Sequence, residues 1–139
     1  MEIERKFIVN NIVNLDLSKY SKKQIIQDYL YNDLFTIIRK RKIINETGNT
    51  SYKYTIKTDK KGISVNEIEK EITELEYNRL HTVDNYNTIN KTRYIIPIEN
   101  GLKIELDVFH EKFEGIIFAE IEFENEKQAN EFNIPNWFR

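Results

Sequence analysis

The chain contains no cysteine in 139 residues, so disulfides, thiolate metal sites and cysteine nucleophiles are excluded at once. Glycine and proline are scarce, at four and two residues, and neither G-x-x-x-x-G-K-[ST] nor G-x-G-x-x-G occurs. Any phosphate must therefore be gripped by side chains and not by a glycine-rich loop. A dominant sign of charge is also lacking: 21 Lys and Arg against 23 Asp and Glu leave a formal net charge of −2. A near-neutral total argues against nucleic-acid binding through bulk charge and says nothing of local fields. No apolar run approaches a membrane span and no signal-peptide h-region opens the chain, so a soluble cytoplasmic protein is expected.

What is present is a hydrophobic fraction of 40%, with eight Phe, eight Tyr and one Trp. That suffices for one packed interior, and a single domain over 1–139 is expected. Most segments alternate with period two and are rich in Ile, Tyr, Phe and Thr. Strands are expected at 2–9, 22–31, 35–43, 50–57, 64–73, 88–97, 102–109 and 115–124, with short helices at 74–82 and 126–132. The natural architecture is α+β: one eight-stranded antiparallel β-barrel or strongly curved sheet, with a few short helices outside.

The alternation carries an unusual signal, because one face of nearly every strand bears like charges at i, i+2. Glu2 and Glu4 share a face with Lys6, and Arg39 shares one with Arg41. Lys53 and Lys57 follow, then Glu67, Glu69 and Glu71, then Lys91 and Arg93. Lys103, Glu105 and Asp107 share the next face, and Glu120, Glu122 and Glu124 the last. Two explanations compete. The charges form the solvated face of a sheet, the usual place for exposed charge, or they line a closed barrel covered outside by helices and loops. Like charges side by side repel, and their segregation strand by strand leans towards a tunnel whose ligand compensates them. Such a lumen suits a polyanion held by Arg and Lys, beside carboxylates that hold Mg²⁺ or Mn²⁺. His81 and His110 are isolated, and no Ser-His-Asp arrangement is apparent.

Glu2-Ile3-Glu4-Arg5-Lys6 resembles the E-x-E-x-K signature of the CYTH domains, the triphosphate tunnel metalloenzymes. The resemblance continues in order over about 2–124. Gln27-Asp28-Tyr29-Leu30 resembles the family's Q-G-Y-L strand, Arg39 and Arg41 its R-x-R pair, and Thr55-Ile56-Lys57 its T-I-K segment. Glu67, Glu69 and Glu71 follow Gly62-Ile63-Ser64 as its acidic strand does. Lys91-Thr92-Arg93-Tyr94 resembles K-T-R-Y, and the segments at 105–110 and 119–122 resemble its last two strands.

The resemblance implies a tunnel that hydrolyses or rearranges a triphosphate with Mg²⁺ or Mn²⁺. It implies metal ligation by Glu2, Glu4, Glu120 and Glu122, with Glu69 and Asp107 as further candidates. Lys6, Arg39, Arg41, Lys57, Lys91 and Arg93 would grip phosphate, joined by Lys53 and Lys103. Glu2, Glu4, Lys6, Glu120 and Glu122 form the expected catalytic set.

The leading expectation is a metal-dependent inorganic triphosphatase (tripolyphosphatase). Adenylate cyclase, thiamine triphosphatase and nucleotide or RNA triphosphatase activities stay open within the family, as do a non-catalytic polyphosphate- or nucleotide-binding module and a purely structural α+β domain. A small-molecule triphosphate is the expected partner, with no membrane; an RNA 5′-triphosphate is left open and the oligomeric state is not read. Three departures stand out. Val65 replaces a common basic residue, Asp28 replaces Gly, and the family's C-terminal extension is expected to be absent after Arg139.

Overall fold

The computed structural model describes residues 1–82 and 88–138. Eight strands run in chain order: β1 Glu2–Ile8, β2 Ser21–Asn32, β3 Thr36–Asn45, β4 Thr50–Lys61, β5 Ser64–Ile72, β6 Ile89–Pro97, β7 Lys103–Phe109 and β8 Ile117–Phe123. All pairings are antiparallel, and the sheet closes as a barrel in the order β1-β5-β4-β3-β2-β6-β7-β8. β1 completes the circle, paired with β5 on one side and β8 on the other. Closure removes free edges and gives every strand one face to the lumen and one outside.

The expected strands are all found, with shifted ends. β4 continues to Lys61, beyond the expected end at 57, because Asp59 takes a left-handed φ of 54° and the register shifts between Thr58 and Lys61. That bulge bends the strand into the turn at Gly62 (φ 59°), where a positive φ favours glycine. The expected helix at 74–82 is shorter, α1 Glu74–Arg79. Thr73 and Glu76 form a capping box at its start, and Leu80 turns extended at its end. The second helix, α2 Glu126–Glu131, is capped by Asn125, whose side chain accepts from the Gln128 N–H at 2.8 Å.

The apolar core lies outside the barrel. Val9, Ile96, Ile104, Leu106, Ala119 and Ile121 pack with Ala129 of α2 and with Phe138 near the C-terminal end. On the opposite side the expected apolar exterior is only partly covered. Ile38, Ile56 and Ile68 form a cross-strand row over β3, β4 and β5, and Ile68 is 67% exposed. Helix α1 covers a neighbouring patch, where the Tyr77 ring packs tilted against Tyr52 with centroids 4.9 Å apart. Among the described residues no helix is long and apolar enough to cross a membrane.

Candidate active site

Period-two alternation on a closed sheet converts the charged strand faces into the wall of one cavity of about 590 Å³. Glu2, Glu4 and Lys6 line it from β1, Lys23, Gln27 and Tyr29 from β2, and Arg39 and Arg41 from β3. β4 and β5 add Lys53, Lys57, Glu67 and Glu69, and β6 adds Lys91 and Arg93. Lys103, Glu105, Glu120 and Glu122 come from β7 and β8, with Phe109, Phe118 and Phe123 between them. A second, less polar cavity of about 460 Å³ shares Glu4, Lys6, Tyr29, Arg39 and Lys57, and is lined also by Leu34, Phe35 and Val65. Val65, where a basic residue was the alternative, therefore faces this cavity.

Segregation by strand does not produce segregation in the lumen, because basic strands lie beside acidic ones. β4 pairs with β5 and β6 pairs with β7, and their charges meet across the ladder. Asp107 is fully buried; it accepts from Lys91 Nζ at 2.6 Å and from Arg93 Nε and Nη2 at 2.7 and 2.9 Å. Glu105 takes the remaining arm, Arg93 Nη1, at 2.8 Å. Burial works against the charge on Arg93, but these carboxylates hold it firmly protonated, well above the ordinary value. Lys53 is 3.0 Å from Glu69, and Lys6 is 3.3 Å from Glu120. Burial alone would raise Glu120, yet Lys6, Arg93 and Lys91 hold it down at about 2.

Two groups escape this compensation. The first is acidic, where β8 and β5 flank β1. Glu2, Glu4 and Glu122 each present an oxygen within 4.8 Å of the others. One ammonium serves three carboxylates: Lys57 Nζ is 2.9 Å from Glu2, 3.9 Å from Glu4 and 3.8 Å from Glu67. Burial first, then the neighbouring carboxylates, push Glu4, Glu67 and Glu122 up to about 7. Burial also works to raise Glu2, but hydrogen bonding with Glu67 and Lys57 brings it below the ordinary value. Carboxylates this close cannot all ionise without a cation. The donors are all oxygen and the Glu67 Oε2 is buried without a hydrogen-bond partner, so the cluster fits a hard divalent cation.

The second group is basic, on β2 and β3. Among the described residues no carboxylate forms a salt bridge with Lys23, Arg39 or Arg41. Arg39 Nε is buried and has no hydrogen-bond partner. Among the described residues Arg41 is held by Gln27 alone, and burial, then Arg39 and Arg93, push it down to about 9, which leaves it protonated at neutral pH. Burial and then Arg93 likewise lower Lys23. A tunnel with a basic wall that lacks ion pairs and an acidic wall served by one lysine can take a polyanion and a cation together.

This chain is 31% identical over 137 residues to an inorganic triphosphatase of Nitrosomonas europaea, covering 99% of this chain and 85% of that one. It is 34% identical over 139 residues to an inorganic triphosphatase of Acetivibrio thermocellus, covering 98% and 81%. The chain belongs to the inorganic triphosphatase family. A crystal structure of an inorganic triphosphatase superposes with a TM-score of 0.61 at 28% identity, over 99% of this chain and 83% of that one. A Pyrococcus horikoshii protein superposes at 0.68 with 23% identity, over 94% and 83%, and shows the same fold. No family model matches the chain. The inorganic triphosphatases are hydrolases of phosphoanhydride bonds, and the barrel is the CYTH-like tunnel expected.

Within this triphosphatase the structure brings Glu2, Glu4 and Glu122 together and holds Glu120 against Glu4. Glu120 is engaged by Lys6, Glu69 by Lys53, and Asp107 by Lys91 and Arg93. The expected phosphate residues Lys6, Arg39, Arg41, Lys53, Lys57, Lys91, Arg93 and Lys103 all line the lumen. Three of them, Arg39, Arg41 and Lys103, have no ion pair among the described residues.

Glu67, Lys23 and Gln27 also line the lumen, outside the expected site set. Glu67 was legible two places before Glu69 on the same face. β2 hid its contribution because its lumen face, Lys23, Ile25, Gln27 and Tyr29, mixes charged, apolar and neutral residues. His110 bonds Thr92 at 2.7 Å, and Tyr52 packs outside under α1, so neither enters the lumen lining.

Proposed function

We propose that this triphosphatase hydrolyses inorganic triphosphate inside the tunnel, with Mg²⁺ or Mn²⁺ held by Glu2, Glu4 and Glu122. The observation that carries this reading is the presence in one cavity of arginines without ion pairs and of a carboxylate cluster that outnumbers the lysine serving it. When bound, the cation neutralises phosphate charge and lowers the pKa of a water molecule. Arg39 and Arg41 grip phosphate oxygens, and their planar forks match pairs of those oxygens. Arg93 and Lys91, fixed in orientation by Asp107 and Glu105, present rigid donors with little ordering left to do on binding, their charge largely offset by those carboxylates.

Lys6 and Lys57 add charge from β1 and β4. Attack of the water oxygen on a terminal phosphorus breaks one anhydride bond and yields orthophosphate and pyrophosphate. Glu67, whose buried Oε2 has no hydrogen-bond partner, takes the proton. On this reading residues 1–139 form one CYTH-like tunnel domain that acts in the cytoplasm on a small-molecule triphosphate.

The test is phosphate release from tripolyphosphate, ATP and thiamine triphosphate with Mg²⁺, Mn²⁺ or EDTA, and with pyrophosphate as the short-chain control. Metal-dependent release from tripolyphosphate above the nucleotide and the thiamine ester is expected. Equal or faster release from ATP would reassign the substrate. Release that persists in EDTA would remove the cation from the reaction.

A further inference from the structure

Most lumen cations that make a polar contact make it with a carboxylate. Lys91 and Arg93 use Asp107 and Glu105, Lys57 uses Glu2, Lys53 uses Glu69 and Lys6 uses Glu120. Arg41 differs. It is 8% exposed, and its Nε donates to Gln27 Oε1 at 2.5 Å. Gln27 is 3% exposed and sits directly opposite Arg41 in the β2–β3 register. Its orientation is fixed by chemistry: Nε–H can only donate, so the amide oxygen must face it. The amide nitrogen then donates to the Tyr29 hydroxyl at 2.7 Å. A three-residue relay therefore clamps one edge of a buried guanidinium without supplying a negative charge.

We propose that Gln27 is a positioning residue for triphosphate binding, which orients Arg41 through its Nε while keeping the guanidinium charge available to phosphate. Resting on the tripolyphosphatase reading, this assigns a role to a neutral β2 side chain. Among the described residues no hydrogen bond or ion pair engages the outer guanidinium nitrogens, which leaves them for a bidentate contact, because the amide takes only the inner Nε. A glutamate has the same length and would accept the same hydrogen bond. It would also neutralise Arg41 internally and stand as a like charge against an incoming phosphate. The neutral amide thus leaves a buried charge that only an anionic ligand satisfies, and this ties order in the empty barrel to affinity in the filled one.

The experiment compares wild type, Gln27→Glu and Gln27→Met by steady-state kinetics on tripolyphosphate and by melting temperature, alone, with Mg²⁺ and with tripolyphosphate. Gln27→Glu is expected to melt at or above wild type and to raise KM by about 10- to 100-fold, the weight of one charge-assisted contact. Its Mg²⁺-only shift should match wild type. Gln27→Met keeps the volume and removes the acceptor, so KM should rise by a smaller factor while the charge on Arg41 persists.

A merely structural Gln27 gives the opposite pattern, in which both variants melt lower and KM stays put; that result overturns the proposal. If Gln27→Glu fails to fold, the KM of Gln27→Met decides: a rise supports the role and no change overturns it. A wild-type protein that neither binds nor cleaves tripolyphosphate overturns the functional reading itself. An active wild type with an unchanged KM in Gln27→Glu overturns this inference alone.

Discussion

Arg39, Lys40, Arg41 and Lys42 are consecutive cations with opposite fates. The arginines face the lumen, whereas Lys40 turns outward under α1. Lumen charge without a partner weakens the empty protein and serves the filled one. Arg39→Met is therefore expected to leave the melting temperature unchanged or raised, because it removes a buried Nε that has no acceptor. The same change should raise KM for tripolyphosphate by roughly 10- to 100-fold. Thermal melting and steady-state kinetics on one preparation check both halves, and an unchanged KM would remove Arg39 from the phosphate site. Asp107→Asn should do the reverse. It strips the buried carboxylate from between Lys91 and Arg93 and should cost about 3–5 kcal/mol in urea unfolding.

At the scale of elements, both helices are tied to the barrel by cations at their C-terminal ends. Lys40 Nζ donates to the carbonyls of Tyr77 and Leu80 at 3.0 and 2.9 Å and sits 4.2 Å from the Tyr77 ring centre. Arg5 Nη1 donates to the carbonyls of Ala129 and Phe132, at the end of α2. Carbonyls left unbonded at a helix end are natural sites for such donors. A six-residue helix is too short to hold itself, so the tether decides whether it stays docked. Lys40→Met is expected to lower stability by about 1–3 kcal/mol through the two lost hydrogen bonds, with the Tyr77 carbonyl keeping only the Leu80 N–H at 3.3 Å. KM for tripolyphosphate should be unchanged, and chemical denaturation alongside kinetics distinguishes Lys40 from its lumen-facing neighbours.

At the scale of the whole molecule, the acidic wall makes stability depend on pH and on cations. Glu4, Glu67 and Glu122 have folded values of about 7 against an ordinary value of 4.5, so between those limits the folded state binds more protons than the unfolded. Stability must then fall as pH rises from about 4.5 to 7. The depressed carboxylates Glu2, Glu69, Asp107 and Glu120 act below that window, where they lose stability as pH falls further. The metal-free protein should therefore melt highest near pH 5. A divalent cation must displace the retained protons, so Mg²⁺ should raise the melting temperature more at pH 8 than at pH 5.5. Melting curves at the two pH values with Mg²⁺ or EDTA check this, and an equal shift at both would separate the cation from these three carboxylates.

The sequence by itself determined the strands, their alternation and which residues share a face. Those properties are local: side chains two apart on a strand point the same way whatever the strand meets next. Ordered motifs such as Glu2-Ile3-Glu4-Arg5-Lys6 and Lys91-Thr92-Arg93-Tyr94 then made the tunnel architecture legible. Tertiary structure alone decided which charges are satisfied. Asp107 reads in the sequence like Glu105 or Glu122, and only the β6–β7 register places it beneath both Lys91 and Arg93. Glu2, Glu4 and Glu122 come together because the first and last strands pair to close the barrel, across more than a hundred residues of chain. Compensation of charge falls off with distance through space, and strand order sets that distance where sequence separation does not.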